Sequence, residues 1–582
     1  MTEPRANVAG ALSVWAPHSR AVQVETEEGV RSLEPGARGY YHLRYPPLAN
    51  GTRYRLRLDG GPGLPDPRSA YQPHGVHGPS QVVDHAAFSW SDRAFAPVPL
   101  EQAIIYELHI GTFTPGGTFE SAIERLDQLV ELGVTHLEIM PVAEFSGQRG
   151  WGYDGVDLFA PYHVYGTPDD LKRLVDASHA RGLAVLLDVV YNHLGPDGNY
   201  LSRFGPYFST DYTTPWGAAL NFDGPGSDEV RRFLCDNALG WLELYHLDGL
   251  RLDAVHAFLD RSAQPFLEQL TREVAVLAQR LGRPKVLIAE SDLNDPRLVR
   301  RLEAGGCGCD AQWSDDFHHS LHALLTAERS GYYGDFGELT DLREALTAGF
   351  VYAGRYSTFR RRSQGRPLGE VPLSRLIGYL QNHDQVGNRA RGDRIGGTLS
   401  AEQLELAAAL VLTGPFVPLL FQGEEWNASS PFCYFTDHQS AELARAVTVG
   451  RQRECMARGE RRENVPDPQA LETFQASKLD WYELVLPEHR SVLDWYSTLI
   501  RLRRSEPDLT GPEPPHVNVD VGGRWLTSQR GRVLVAANFS PGPLGLPAAA
   551  GSRLLLGSRG AEVSSGVLTL PGWGVGILRV PV

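Results

Sequence analysis

Residues 247–255, LDGLRLDAV, form one of seven apolar runs that end in polar or charged side chains. The other six runs are IIYELHI (104–110), THLEIMPV (135–142), LAVLLDVV (183–190), KVLIAES (285–291), LIGYLQNHD (376–384) and FVPLLFQGEE (416–425). Amphipathic stretches such as FESAIERLDQLVELG (119–133) and PDDLKRLVDASHARG (168–182) lie between many of them. This part of the chain therefore alternates strand and helix.

Strands that are apolar throughout and separated by helices are typical of a parallel sheet covered on both faces. Residues 91–510 are long enough for eight such units, so we predict an α/β fold with a closed (β/α)8 TIM barrel. The carboxyl ends of the strands meet on one face of such a barrel. Polar side chains at those ends, although distant in sequence, are thus expected to share one site.

Short β-rich runs separated by Gly, Pro and Asn lie on both sides of the barrel region. Residues 1–90, with runs such as ALSVWAP and TRYRLRL, are predicted to form an N-terminal β-sandwich. Residues 511–582, with VNVDV, GRVLVAANFS and GVLTLPGWGVGILRV, predict a C-terminal antiparallel β-sandwich domain. Residues 427–490 are irregular and rich in helical patterns, and their elements cannot be placed from the sequence.

The charge balance narrows the classes of partner. The 582 residues carry 70 acidic and 55 basic side chains, a formal charge of −15, and no long Lys/Arg run that follows a phosphate backbone. We therefore expect neither nucleic acid nor a membrane surface as a partner. No leader or membrane-spanning segment is evident, which predicts a cytoplasmic protein. Five scattered cysteines, an odd number, argue against a disulfide framework.

The run GLRLD (249–253) carries the sharpest local pattern. Period-2 alternation places Arg251 and Asp253 on one face of a strand, where the arginine favours the ionised carboxylate that a nucleophile needs. A structural ion pair at the barrel rim is the alternative. The next run delivers Glu290 from an apolar segment, and desolvation there favours the protonated form that a general acid needs.

Two further strand ends carry acids close to histidines. Asp188 precedes His193, and Asp384 follows His383 directly. Hydrolysis of a glycoside needs an acid, a carboxylate that attacks or activates water, and hydrogen bonds to sugar hydroxyls, which these residues supply. Tyr153 offers a ring that stacks on a sugar. Each residue alone is also explained as a helix cap, a rim contact or a packed core residue. No metal-ligand spacing is present, so neither a metal nor another cofactor is expected.

Together these motifs resemble those of the α-amylase superfamily, and the resemblance spans nearly the whole chain. The motifs are DVVYNH (188–193), GLRLDAVH (249–256), AES (289–291) and NHD (382–384), in the family's order. The resemblance implies a retaining double displacement in which Asp253 forms the glucosyl ester, Glu290 acts as acid and then base, and Asp384 fixes the distorted ring. It also implies that the same subsite is lined by Tyr153, Asp188, His193, Arg251 and His383.

Three longer segments look most like the maltooligosyltrehalose trehalohydrolases within that superfamily. They are DPRSAYQPHGVHGPS (66–80), DAQWSDDFHHSLH (310–322) and FQGEEWNASSPFCYFTDH (421–438). This resemblance implies cleavage of the α-1,4 bond beside the terminal α,α-trehalose of maltooligosyl trehalose, and an N-terminal module of the early-set type. On this basis, residues of the last two segments are predicted to shape the leaving-group side, namely Trp313, Asp315, Asp316, His318, Trp426, Asp437 and His438. His256, which follows the DAV segment, is also predicted to bind substrate. Rim packing and helix capping are the alternative explanation for them.

Glycogen branching enzymes are the rival hypothesis, because they share the sandwich, the GLRLDAV core and a stretch like TPWGAALNFDGP (214–225). His256 and the EEW and FTDH elements within residues 421–438 favour the hydrolase. The two enzyme classes differ in whether water or a sugar hydroxyl accepts the glucosyl unit. A glucan-binding scaffold without catalysis is disfavoured because all of the acids are present. We expect a monomer or weak homo-oligomer whose partner is an α-glucan oligosaccharide.

Overall fold

A computed structural model describes residues 11–520 and 522–581 of the 582-residue chain. Eight parallel strands form a closed barrel in which each strand pairs with the next and the eighth pairs with the first. These strands, β1 to β8, are Ile105–Leu108, His136–Ile139, Ala184–Val189, Gly249–Leu252, Val286–Ala289, Ala311–Trp313, Leu376–Tyr379 and Val417–Phe421. The predicted (β/α)8 barrel is confirmed.

One barrel strand has no counterpart among the seven apolar runs. This strand is β6, which has only the three residues AQW and a polar centre at Gln312. It pairs with β5 on one side and with β7 on the other. Such a strand gives neither an apolar run nor an extended alternation, which is why the sequence did not reveal it. The four predicted acids therefore lie at the ends of β3, β4, β5 and β7, with β6 between the last two.

Helices connect the barrel strands and surround them. The helix Pro168–Ala180 begins with a capping box between Thr167 and Asp170 and has Pro168 in its first turn. The α-helices are Ile110–Phe113, Phe119–Ile123, Leu126–Leu132, Pro168–Ala180, Leu201–Phe204, Ser227–Leu244, Phe266–Leu281, Asp315–Thr326, Leu339–Ala348, His383–Gly387, Ala401–Thr413, Ala441–Ala457, Leu471–Ala476 and Pro487–Ser505. Among the described residues, no helix has the length and apolar character needed to cross a bilayer.

The interior of the barrel has an apolar layer and, nearer the carboxyl ends, a polar one. Ile105, Leu186 and Ile288 belong to one buried cluster inside the barrel. Side chains two residues apart in a strand point the same way, so Glu107 and Asp188 also face inward. Arg251 joins them from β4, in register with Asp188. The barrel thus carries its charged side chains at the end where a TIM barrel holds its active site.

Antiparallel sheets flank the barrel on both sides in sequence. The N-terminal strands are Ser13–Trp15, Val22–Thr26, Gly29–Ser32, Glu34–Pro35, Tyr40–His42, Arg53–Leu58, Gly63–Leu64 and Ser80–Gln81. The C-terminal strands are His516–Val519, Trp525–Arg530, Val533–Asn538, Leu544–Pro547, Arg553–Gly557, Glu562–Ser564, Val567–Leu570 and Val575–Arg579. Hairpins between barrel strands pair Ala143–Glu144 with Asp157–Pro161, Phe208–Thr214 with Gly217–Leu220, and Tyr356–Ser357 with Arg362–Ser363. The predicted β-domains are confirmed as antiparallel sheets, although residues 1–10, 521 and 582 lie outside the described residues.

Candidate active site

An open cavity of about 630 Å³ lies at the carboxyl ends of the barrel strands. Asp253 and Glu290 line it from the ends of the neighbouring strands β4 and β5, and Asp384 enters it from the segment after β7. The other predicted residues that line this cavity are Tyr153, His193, His256, Trp313, Asp315 and His383. The fold therefore brings three carboxyl groups, distant in sequence, to one open space.

Asp253 is held by donors on both of its carboxylate oxygens. Arg251 Nη1 donates to Oδ1 and Asn192 Nδ2 donates to Oδ2, each over 2.7 Å. The guanidinium group of Arg251 is itself fully buried and lies 4.3 Å from the centre of the Trp313 ring. These contacts give the carboxylate one orientation, with its small exposed part towards the cavity.

Glu290 has a different environment from Asp253. Its Oε2 accepts a hydrogen bond of 2.6 Å from the backbone N–H of Ala254, the residue that follows Asp253. Burial raises the pKa of Glu290 well above its usual value, against the opposing effect of Arg251 and with a further contribution from Asp253. A carboxyl group with a raised pKa keeps its proton near neutrality and can donate it.

The backbone at Ala254 is unusual for a residue with a side chain. Its φ of 41° and ψ of 52° lie in the left-handed region. This conformation costs a non-glycine residue about 1 kcal/mol or more and persists where the surrounding structure imposes it. It turns the chain directly after Asp253 so that the Ala254 N–H meets Glu290. The peptide group between Asp253 and Ala254 thus connects the two carboxyl groups, because Asp253 carries one of them and the Ala254 N–H binds the other.

A second group of contacts centres on Tyr153. Its hydroxyl donates to Asp188 Oδ2 over 2.6 Å and lies 2.8 Å from His383 Nε2. Burial raises the pKa of Asp188 to about 6, although Arg251 acts in the opposite direction. Burial opposes a charge on His383, but Asp384 and Glu107 outweigh it and raise the pKa of His383 to about 9. His383 is therefore a cation at neutral pH.

Two predicted residues of the subsite lie beneath the cavity and do not line it. Arg251 and Asp188 are buried and joined by hydrogen bonds of 2.9 and 3.1 Å from Arg251 Nη1 to the two carboxylate oxygens. They contact Asp253 and Tyr153, which do line the cavity, and their own place in the subsite stays a prediction.

Three predicted substrate contacts lie in the supporting structure. Asp316 accepts hydrogen bonds from the backbone N–H groups of Val351 and Tyr352, and His318 is held between Leu380 O and the Tyr333 hydroxyl. Trp426 is buried, with its Nε1 donating to Glu483 over 3.1 Å. None of these three side chains lines the cavity, so their direct contact with substrate stays a prediction that the packing does not support. Motif resemblance locates the segment, but it does not separate a lining residue from the wall behind it.

Asp437 and His438, from the same segment, also lie at the periphery of the site. Asp437 accepts a hydrogen bond from the backbone N–H of Gln148 and pairs with Arg149 over 3.0 Å. His438 lies 4.0 Å from Asp154. Of these, only Asp154 is a lining residue of the cavity. Asp437 and His438 therefore hold a loop beside the site.

Several residues of the site escaped the sequence analysis. Trp216 stands half-exposed at the turn of the hairpin Phe208–Leu220 and stacks on His193 with ring centres 5.6 Å apart. Arg360 pairs with Asp292 over 2.7 Å at the opposite wall. Glu107 holds His383 from within the barrel. The only signal for Glu107 was an acid inside the apolar run IIYELHI. Trp216 belongs to the stretch TPWGAALNFDGP (214–225), which was noted only for its resemblance to glycogen branching enzymes.

The cavity has no evident metal centre. Within residues 11–520 and 522–581, no group of three or more His, Cys, Asp or Glu side chains is arranged to hold a metal ion. The carboxyl groups that face the cavity instead pair with Arg251, Asn192 and backbone N–H groups. What this arrangement offers is one oriented carboxylate opposite one protonated acid.

Comparison with known proteins assigns the family. Residues 84–212 match the family described as "Alpha amylase, catalytic domain", and residues 516–577 match a "Domain of unknown function (DUF3459)". A protein of Arthrobacter ramosus named malto-oligosyltrehalose trehalohydrolase is 47% identical over 97% of this chain and 99% of its own length. One of the same name from Mycobacterium tuberculosis is 46% identical over 97% of this chain and 98% of its own length.

The structural comparison agrees with the sequence comparison. A crystal structure of a Salmonella typhimurium protein, 37% identical in sequence, superimposes with a TM-score of 0.90 over 98% of this chain and 97% of that one. The chain therefore belongs to the malto-oligosyltrehalose trehalohydrolase family of α-amylase-type glycoside hydrolases.

Proposed function

We propose that this chain hydrolyses the α-1,4-glucosidic bond next to the terminal α,α-trehalose of maltooligosyl trehalose, releasing trehalose and a maltooligosaccharide. The observation that carries the proposal is the pair of carboxyl groups, Asp253 and Glu290, that face one cavity from neighbouring strand ends in opposite environments. The names of the relatives identify the substrate, and the paired carboxyl groups account for the chemistry.

In the first step, a carboxylate oxygen of Asp253 attacks the anomeric carbon of the glucosyl unit while Glu290 gives its proton to the departing glycosidic oxygen. The C–O bond to trehalose breaks and an ester bond to Asp253 forms. In the second step, Glu290, now a carboxylate, takes a proton from water, and the water oxygen attacks the same carbon. The ester breaks, Asp253 is regenerated as a carboxylate, and the product keeps the α configuration.

Other lining residues are proposed to hold the glucosyl unit during both steps. His383 and His193 both line the cavity and are placed to hydrogen-bond sugar hydroxyls. His383 is a cation at neutral pH, whereas burial lowers the pKa of His193 and favours its neutral imidazole. Asp384 is partly exposed and accepts a hydrogen bond of 3.1 Å from Asn388, which leaves it an oxygen for the sugar. Tyr153 offers its ring beneath the same unit.

The geometry also orients the substrate. A general acid must face the oxygen that it protonates, so the trehalose unit is expected on the side of the cavity that continues from Glu290. Asp292, Asp315 and Arg360 lie along that side, in segments that follow β5 and β6. The maltooligosyl chain is then expected on the other side, formed by the segments after β7 and β8, where Tyr434 and Arg451 line the cavity.

The test is product analysis on two substrates. The protein is incubated separately with maltooligosyl trehalose and with amylose, and the sugars are identified. Release of trehalose from the first substrate at a much higher kcat/KM than any cleavage of amylose is expected. New α-1,6 branches without trehalose would assign the chain to the branching enzymes. Binding of either glucan without any product would indicate a scaffold.

We further propose the organisation of the chain as an N-terminal β-sandwich over residues 1–90, a catalytic barrel over 91–510 and a C-terminal β-domain over 511–582. The sheets described above support it, because the flanking strands end at Gln81 and begin again at His516. Five free cysteines are compatible with a reducing compartment such as the cytoplasm. We propose that the enzyme works there without a cofactor, as a monomer or weak homo-oligomer, and light scattering tests the last point.

A further inference from the structure

Glu107 reaches His383 from within the barrel, from strand β1, which is separated from β7 by the single strand β8. It belongs to β1, is buried, and faces inward like its neighbour Ile105. The backbone N–H of His383 donates to Glu107 Oε2 over 3.0 Å, and the ring Nδ1 of His383 forms a hydrogen bond with Oε1 of the same carboxylate. Both the main chain and the ring of His383 are thus attached to one side chain.

The other ring nitrogen of His383 meets a hydroxyl that has no hydrogen to give. His383 Nε2 lies 2.8 Å from the Tyr153 oxygen, and the Tyr153 hydrogen is donated to Asp188 Oδ2 over 2.6 Å. A phenol has only one hydrogen, so Nε2 must be the donor to Tyr153. A carboxylate accepts only, so Nδ1 must also carry a hydrogen where it meets Glu107. Both ring nitrogens are then donors, and the imidazole is a cation.

We propose that Glu107 is a positioning residue for the hydrolysis, and that its carboxylate fixes His383 so that Nε2–H points at Tyr153 and at the glucosyl unit bound beside it. The consequence reaches further round the barrel. With Nε2–H on the Tyr153 oxygen, the Tyr153 hydrogen stays on Asp188, and Asp188 keeps its hydrogen bonds with Arg251. Arg251, which orients Asp253, is therefore connected to β1 by a series of four contacts. The series runs from Arg251 through Asp188, Tyr153 and His383 to Glu107.

The charges that face His383 agree with this geometry. Burial disfavours the cation, whereas Asp384 and Glu107 favour it, and Arg251 acts against it. Asp384 is partly exposed and 3.6 Å away, but Glu107 is buried and in direct contact, so Glu107 is the partner that solvent screens least. The remaining titratable groups in electrostatic contact with His383 are Glu138, Asp188 and His109, with Tyr153 as its hydrogen-bonded neighbour.

The chain offers a matched control for Glu107. Glu138 lies on β2 in register with Glu107 and is as deeply buried. Among the described residues, neither of its carboxyl oxygens has a hydrogen-bond partner. Burial raises the pKa of Glu138 well above its usual value, which favours its neutral form. Glu138→Gln therefore makes the same change of side chain at the same depth, but it leaves the carboxyl group that contacts His383 in place.

The experiment is an NMR titration of the full-length protein with 13C-labelled histidine. The His383 signal is identified by its absence from the spectrum of His383→Asn. In the unmodified protein His383 is expected to titrate at a pKa of about 9. Glu107→Gln is expected to lower that pKa by at least about one unit, because it removes an opposite charge in contact. Glu138→Gln is expected to leave it unchanged.

Activity provides the second readout, and it rests on the proposed function. With maltooligosyl trehalose, Glu107→Gln is expected to lose about twofold in kcat/KM at pH 8 if the pKa of His383 falls by one unit and about tenfold if it falls by two, and to recover most of the loss at pH 6, where His383 is protonated again. A structural defect alone would lower activity equally at both values. The proposal is overturned if His383 of the unmodified protein titrates near 6.5, or if Glu107→Gln leaves its pKa unchanged. The titration of His383 in the unmodified protein does not depend on whether any variant folds. Neither titration needs substrate, so a failure of this proposal can be told apart from a failure of the proposed function.

Discussion

The barrel has a cavity at each end, and the two are similar in size but differ in the residues that line them. The cavity at the carboxyl ends measures about 630 Å³ and holds Asp253, Glu290 and Asp384. The cavity at the amino ends measures about 730 Å³. It is lined by five prolines and by residues at or just before the starts of the strands, including His136, Asp248 and Arg375. Volume therefore does not distinguish the site of chemistry from the other end of the barrel.

The surroundings of the acidic side chains do distinguish the two ends of the barrel. At the amino end, Asp248 Oδ2 accepts from His179 Nε2 over 2.8 Å and from the backbone N–H of Val185 over 2.9 Å. His179 is in turn bound to Asp92 over 2.8 Å, so this acid belongs to a buried network of ion pairs and is only 2% exposed. Asp253 and Glu290 also have partners, but their side chains are 14% and 18% exposed towards the carboxyl-end cavity. We infer that the amino end holds the barrel together and the carboxyl end performs the reaction.

The largest effect is expected from Asp253→Asn at the carboxyl end. Because the amide cannot form the glucosyl ester, kcat should fall by at least about 10⁴-fold. The measurement is trehalose release under saturating substrate, with the melting temperature as a control for folding. Activity near that of the unmodified protein would remove Asp253 from the role of nucleophile.

Glu290→Gln should have the next largest effect, a fall in kcat of about 10² to 10⁴-fold. Since the reaction needs the protonated acid, kcat/KM of the unmodified protein should fall as pH rises through the raised pKa of Glu290. A pH profile of both proteins below about pH 8, where His383 stays protonated, tests this, because the fall in kcat/KM over that range should be absent from the variant. A fall in that range that survives in Glu290→Gln would assign it to another group.

Asp248→Asn, at the amino end, should affect stability and leave catalysis intact. Removing one partner of a buried ion pair typically costs about 3 kcal/mol or more of the free energy of unfolding. The pKa of His179 is raised and that of Asp248 is lowered in the folded state. The stabilisation should thus be fully present between about pH 4 and pH 6.5, lost at lower pH as Asp248 is protonated, and lost at higher pH as His179 loses its proton.

Urea unfolding of the unmodified and variant proteins at several pH values measures this difference. The comparison of the two ends predicts that kcat/KM of Asp248→Asn stays within about twofold of the unmodified protein at a temperature where both are folded. A folded variant that lost most of its activity would give the amino end a role in the reaction.

The smallest effect is expected from Arg375→Ala, also in the amino-end cavity. Arg375 is partly exposed and donates to Asp310 O over 2.9 Å. Exposed contacts of this kind contribute at most about 1 kcal/mol, and the residue lies at the opposite ends of the strands from Asp253. Thermal unfolding and kcat/KM should both stay close to those of the unmodified protein. A tenfold change in kcat/KM would break the division between the two ends.

The sequence predicted the barrel because seven of its strands are apolar runs, and it missed β6 because three residues carry too little pattern. Asp253, Glu290 and Asp384 were predicted because the barrel topology places strand ends together. Trp426 and His318 were predicted to contact substrate but are buried against Glu483 and Leu380, because a motif in the sequence does not show which way each of its side chains turns. Glu107 was missed because its partner, His383, lies 276 residues away along the chain.

The left-handed turn at Ala254 has a consequence for stereochemistry. Retaining glycosidases need their two carboxyl groups about 5 Å apart, and a gap of about 6.5 Å or more admits a water molecule that inverts the product. Here the stretch from Arg251 to Ala254 carries the guanidinium group, the proposed nucleophile Asp253 and the backbone N–H that binds the proposed acid Glu290. Because these groups belong to four consecutive residues, the local backbone fixes how they are placed relative to one another. Loops around the cavity are then free to vary in evolution and reshape specificity while the configuration of the released sugar stays the same.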